Sequence, residues 1–229
     1  MGALRRGRCT TFAALGALVL GLAACGGGGG GGGGDRQVNA SETPQITTAA
    51  APAKDEAALL TEQDVHAISG FEGVVAAEVD DLPFYENPDP RGPCGGSAPA
   101  LAFDGAFGRT FRSDRVQLIE LVTPSSVRQK EQLTAYRGDV RPDCPPYDSR
   151  TNTGDTQHVS GISMLALKDL GVPAIGWAST IEVQGRRVQG GVVLAEVGER
   201  FLFLQFHALS LPPSSALQEL ARQAVDRLR

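Results

Sequence analysis

The residues of this chain that could do chemistry are three histidines, four cysteines and a short run of acids. Metal ligands carried by one element must be closely spaced so that they share a face. His66, His158 and His207 are too far apart for that, and only a site drawn together from distant segments could use them. Nucleophile signatures are missing: there is no Gly-x-Ser-x-Gly elbow and no Ser-x-x-Lys. Ser125, Ser126, Ser214 and Ser215 stand at helix starts, where capping accounts for a hydroxyl. Asp80, Asp81, Glu86 and Asp89 share a proline-rich loop with Phe84 and Tyr85. Their spacing lacks the alternate oxygens and glycine turn of a calcium loop. Sequence spacing also places no two of them as the paired carboxylates of a glycosidase. The acids read as a solvated loop, and Phe84 and Tyr85 as a candidate contact patch. Trp177, the single tryptophan, is expected in the core; if exposed it would anchor a groove or an interface. No catalytic residue, metal ligand or cofactor is expected.

The cysteines are more informative. Arg5, Arg6 and Arg8 precede an apolar stretch that begins near Thr11 and closes on Leu22-Ala23-Ala24. A basic region, a short apolar region and small residues before a cut make a secretory signal over residues 1–24. Cys25 follows the cut directly, and Leu22-Ala23-Ala24-Cys25 resembles the lipobox of bacterial lipoproteins. That resemblance implies that the Cys25 thiol is acylated, the signal removed and the protein left on the outer face of the cell membrane. The apolar stretch, about 14 residues, falls short of the ~20 that a membrane span needs, so lipid alone would hold the chain. With Cys9 removed and Cys25 acylated, Cys94 and Cys144 remain in an oxidising compartment. A disulfide is expected; a two-thiol metal site and a catalytic cysteine are the alternatives.

Removal of residues 1–24 takes the basic residues from 21 to 18 against 26 acids, a net charge of −8. That balance argues against nucleic acid and against a polybasic membrane clamp. Gly26 to Gly34 are all glycine, and the next stretch is rich in Thr, Ala and Pro. Neither can bury enough surface to order itself. Residues 25–56 are therefore expected to be a lipidated, disordered stalk, and residues 57–229 one folded domain of about 170 residues, large enough for a real core.

Within that domain Thr61 and Asp64 form a carboxylate variant of the capping box, with Leu60 and Val65 as its staple. The spacing predicts a helix ending at Gly70 and a strand over 73–79. The near-continuous apolar run 116–122 predicts a strand buried on both faces. Thr123-Pro124 predicts the start of a second helix ending near Gly138, followed by a polar, turn-rich segment over 139–156. Strands are expected over 175–183, 188–197 and 201–208, joined by tight turns. Leu217, Leu220, Ala221, Ala224 and Leu228 mark the apolar stripe of a last helix, capped by Ser215 with Gln218. The order predicts an α+β domain: an antiparallel sheet with the helices packed on one face, and one disulfide. Leu118, Ile119, Leu121, Val192, Leu194, Phe203, Leu217, Leu220 and Ala224 are the expected core.

This layout resembles a group of actinobacterial envelope proteins: the extracellular sensor domains of PknH-type Ser/Thr kinases and, as second choice, PsbP-like lipoproteins. The matching features are Leu59-Leu60-Thr61, Pro93-Cys94, Pro124-Ser125, Cys144 and a terminal strand–strand–helix. The resemblance implies an α+β domain with a groove that binds a ligand or partner outside the cell. The kinase sensor is expected to carry two disulfides, whereas this chain has one pair of cysteines for them; no attached kinase domain is expected, and a signalling role is not carried over. The functional expectation is a non-enzymatic, membrane-anchored lipoprotein that binds a small apolar or cell-wall-derived ligand, or an envelope protein. The alternative is an extracytoplasmic hydrolase or transferase whose site is assembled from dispersed acids and histidines.

Overall fold

A computed structural model of the chain describes residues 56–78, 91–101, 103–150 and 154–229. Cys25, the stalk, the acidic loop, Phe84 and Tyr85 lie outside the described residues. Those that are described belong to one unit, residues 49–229.

The chain enters through a 3-10 turn, Glu56–Ala58, and a short helix α1, Glu62–His66. The capping box forms as its residues suggest. The Thr61 hydroxyl accepts from the Asp64 N–H, and the Asp64 carboxylate accepts from the Thr61 N–H. Leu60 and Val65, the staple, are fully buried.

Among the described residues, eight strands form one antiparallel sheet: β1 Val75–Glu78, β2 Phe107–Arg112, β3 Val116–Pro124, β4 Tyr147–Arg150, β5 Thr156–Met164, β6 Ala174–Val183, β7 Arg186–Val197 and β8 Arg200–Ala208. Their order is β1-β2-β3-β8-β7-β6-β5-β4. A meander β1-β2-β3 stops in mid-sheet. Helix α2, Val127–Gly138, then carries the chain to the far edge. A second meander returns from β4 until β8 closes on β3. The turn at Gln184-Gly185 explains the tightness of β6–β7: both residues have positive φ, 50° and 72°, as a two-residue hairpin demands.

The expectation of helices on one face is corrected. Helix α3, Ser214–Leu228, packs with α1 against Leu118, Val122, Val193, Leu202 and Leu204 on the first face. Helix α2 packs on the second, where Leu133 and Tyr136 meet Ile119, Leu121, Leu194 and Phe203. The central strands are apolar on both sides, because alternate residues of β3, β7 and β8 feed opposite clusters. Cover on one side alone would leave half of those side chains in water.

Three further details differ from the sequence reading. Pro124 ends β3 rather than starting α2, whose N-cap is Ser126. Pro213, not Ser215, precedes α3 and caps it with no side-chain hydrogen bond. The 139–156 segment contains β4, and β5 follows it. The expected core is buried except for Val192, which is half-buried.

Candidate functional site

Two constructions on the second face bear on function. The first is the disulfide region. Cys94 and Cys144 are bonded, with Cα atoms 4.7 Å apart. Asp139, the residue that closes α2, reaches into the loop before Cys94. Its carboxylate accepts from the N–H of Cys94 at 2.7 Å and of Gly96 at 3.1 Å. A side chain on Gly92 or Gly96 would collide with that carboxylate. Arg141 donates to the Cys94 carbonyl at 2.7 Å, and the Tyr147 hydroxyl donates to the Gly92 carbonyl at 3.3 Å. Burial, then the Asp139 charge and Tyr136, push the Tyr147 hydroxyl up to about 12. The backbone N–H groups of this loop form an anion nest, but it is filled by the protein's own carboxylate. The region thus fastens the end of α2 to the 91–97 loop.

The second construction is the sheet surface beside α2. Helix α2 and Ala98 and Phe103 cover one end of the second face. Trp177 lies there, buried and stacked on Tyr136 with ring centroids 5.8 Å apart. It is a core residue in this structure, as its small neighbours Gly176 and Ala178 suggest. Helix α2 gains this packing without a clear apolar stripe. Two of its buried residues are glutamines: Gln132 donates to the Ala100 carbonyl, and Gln129 donates to the Thr123 hydroxyl at 3.1 Å.

Beyond Trp177 the cover thins. Gln117, Ile181, Val188, Val192, Gln205 and His207 are only half-buried, although most sit on the central strands β3, β7 and β8. Register places them together. Gln117 faces His207 across β3–β8, and His207 faces Gly190 across β8–β7. Val192 faces Gln205, and Ile181 faces Val188. Gly190 makes room for its neighbours: a Cβ there would stand 2.5 Å from Ile181 Cδ1 and 3.5 Å from His207 Cδ2. The result is a floor with an aliphatic wall and three uncharged polar side chains.

The polar side chains are under-used. Gln205 Oε1 is buried without a hydrogen-bond partner. An orphaned buried amide oxygen costs about 1–3 kcal/mol, a cost that a ligand donor would remove. Burial lowers the pKa of His207, so its imidazole is neutral at pH 7. A neutral imidazole offers one donor and one acceptor. Arg112, opposite Gln117 across β2–β3, is exposed at the margin. The floor can therefore hold an uncharged ligand that carries N–H or O–H groups and an apolar edge.

The other histidines lie elsewhere. His66 Nε2 donates to the Val74 carbonyl at 2.5 Å. His158 Nδ1 is 2.8 Å from Asp148 Oδ1 on the exposed β4–β5 hairpin. Among the described residues no three His, Cys, Asp or Glu side chains cluster as metal ligands would. One signal in the sequence marks His207. Gln205 and His207 are the polar residues of the apolar run that follows Arg200 in β8, two positions apart, and so on one face. Among the described residues no helix is long and apolar enough to cross a membrane. In comparison with known proteins, the chain matches no family model and no curated protein.

Proposed function

We propose that this chain is a lipid-anchored envelope lipoprotein, acylated at Cys25 and held on the outer face of the membrane, whose α+β domain binds a ligand without transforming it. It is kin to the actinobacterial sensor-like proteins that its layout resembles. The observation that carries the binding role is the partly covered second face, with the orphaned Gln205 amide oxygen beside neutral His207. Those groups favour an uncharged, amide- or hydroxyl-bearing ligand with an apolar edge, a description that fits cell-wall fragments. A neutral floor lacks the paired acid and base that hydrolysis or transfer would use. Lipobox residues Leu22-Ala23-Ala24-Cys25 support the address.

Mass spectrometry of the full chain expressed in an actinobacterial host tests the address. The wild type should lose residues 1–24, gain the mass of its acyl chains and sediment with membranes. Cys25→Ala should be unprocessed or shed. An unlipidated wild type, or a Cys25→Ala variant that partitions like it, rejects the anchor.

A further inference from the structure

The first face holds a buried carboxyl that the binding reading does not use. Glu120, in the middle of β3, is completely buried. Its Oε2 accepts from the Leu60 N–H at 2.8 Å. Arg109 is its partner across β2–β3, and the Arg109 guanidinium donates to the Leu60 carbonyl, also at 2.8 Å. The two side chains therefore grip both ends of one residue's backbone, at the junction between the entry turn and α1. Leu60 is itself fully buried. On the other side of the junction, Asp64 binds Thr61 and accepts from Arg227 of α3 at 2.6 Å. Burial alone would raise Asp64; Thr61 and Arg227 outweigh it and hold that carboxyl below its usual range.

We propose that Glu120 and Arg109 form a proton-operated latch: while the Glu120 carboxyl is neutral it holds residues 56–68 on the sheet through the Leu60 backbone, and its ionisation releases them. The geometry gives the reason. Glu120 Oε1 has no hydrogen-bond partner. A neutral carboxyl tolerates that, but a carboxylate needs further donors. The nearest strong donor, Arg109, is committed to the Leu60 carbonyl. Either Arg109 turns to the carboxylate and frees Leu60, or water enters and lifts it. Both outcomes open the latch, and the proton leaves to solvent.

The charged groups facing Glu120 are Arg109 from β2, Asp64 from α1 and Arg227 from α3. Burial is the largest influence and raises the carboxyl; the Leu60 N–H and Arg109 lower it, Asp64 raises it and Arg227 lowers it, leaving it at about 8. The raised value means that the carboxyl of the closed form is neutral through neutral pH, and that the closed form loses stability as pH rises to about 8. The latch thus sets whether α1 stays docked on the sheet.

Amide exchange followed from pH 6 to 9.5, corrected for intrinsic rates, tests the latch on the full chain. The Leu60 and Val65 amides should lose protection by up to about tenfold per pH unit from pH 6 to about 8, the slope of one released proton, and level off above it. The β7 and β8 amides, which open only with the whole domain, should stay better protected than these at every pH. Glu120→Gln should abolish the slope, and Arg109→Gln should move its levelling-off to higher pH, because a cation that favours the carboxylate is gone. The latch is overturned by protection that does not change with pH, by a slope that survives in Glu120→Gln, by a levelling-off that Arg109→Gln leaves in place or lowers, or by Leu60 and Val65 protection no weaker than that of β7 and β8.

Discussion

Breaking the Cys94–Cys144 bridge should destabilise the domain by about 2–4 kcal/mol, and the structure says where within that range to look. The bridge closes a loop across a sequence separation of 50. In the chain-entropy model, a loop of that length constrains the unfolded chain by roughly 4 kcal/mol. The same two segments are also tied by the Asp139 carboxylate, through the Cys94 and Gly96 N–H groups. Hydrogen bonds to a charged group contribute ~1.5–3 kcal/mol, so part of the loop geometry survives without sulfur. Cys94→Ala with Cys144→Ser is the suitable pair, since Cys94 is buried and a hydroxyl there would be orphaned. At ~2–4 °C per kcal/mol for a domain of this size, the melting temperature should fall by about 5–15 °C. Asp139→Asn should cost more in the unbridged protein than in the bridged one, because without sulfur the two segments are held only by hydrogen bonds, of which the Asp139 carboxylate makes two. Urea denaturation of the four combinations gives the coupling. A loss under about 1 kcal/mol on removal of the bridge, or an Asp139→Asn cost independent of it, would refute the reasoning.

Leu220→Ala removes a buried side chain from the α3 seam and should cost ~2–5 kcal/mol in chemical denaturation. Gly108→Ala should cost several kcal/mol or abolish folding, since its Cβ would meet the backbone carbonyl of Glu120 across β2–β3; a melting curve like that of the wild type would contradict the register. Glu120 also predicts a pH slope of global stability. Its carboxyl rises from 4.5 when unfolded to about 8 when folded. Its contribution is therefore complete below about pH 4.5 and lost as pH climbs to about 8, at up to ~1.4 kcal/mol per unit. Glu120→Gln should be flatter over that window in parallel urea titrations, and equal slopes would show that the carboxyl is not buried.

What the sequence made legible was local. Thr61 and Asp64 announce α1 because the capping box lies within four consecutive residues. The β6–β7–β8 meander is marked by Gln184-Gly185 and Gly198-Glu199 between apolar runs. The α3 stripe needs only its own periodicity. What was hidden depends on distant partners. The run 116–122 implied a strand buried on both faces, which requires cover on both, yet α2 showed no apolar stripe to supply it. Gln129 and Gln132 explain why: they are buried by hydrogen bonds to Thr123 and Ala100, which no periodicity reports. Strands β4 and β5 contain few apolar residues because β4 is an edge and β5 its neighbour. Glu120 reads as a polar residue in an apolar strand until Leu60 and Arg109 are brought to it. Likewise, Gln117, Gln205 and His207 become a floor only once β3 and β8 pair.

The binding role is the central claim, and it is tested most directly by titrating the isotopically labelled, natively folded chain with an uncharged amino-sugar fragment, di-N-acetylchitobiose, while recording side-chain NMR signals. The side-chain amides of Gln117 and Gln205 and the imidazole of His207 should shift together and saturate, while signals from α3 on the opposite face stay still. Gln205→Leu should remove the response without lowering the melting temperature, because it also removes an orphaned amide oxygen. Signals that stay fixed at all three residues, or that move only on the α3 face, would contradict the account.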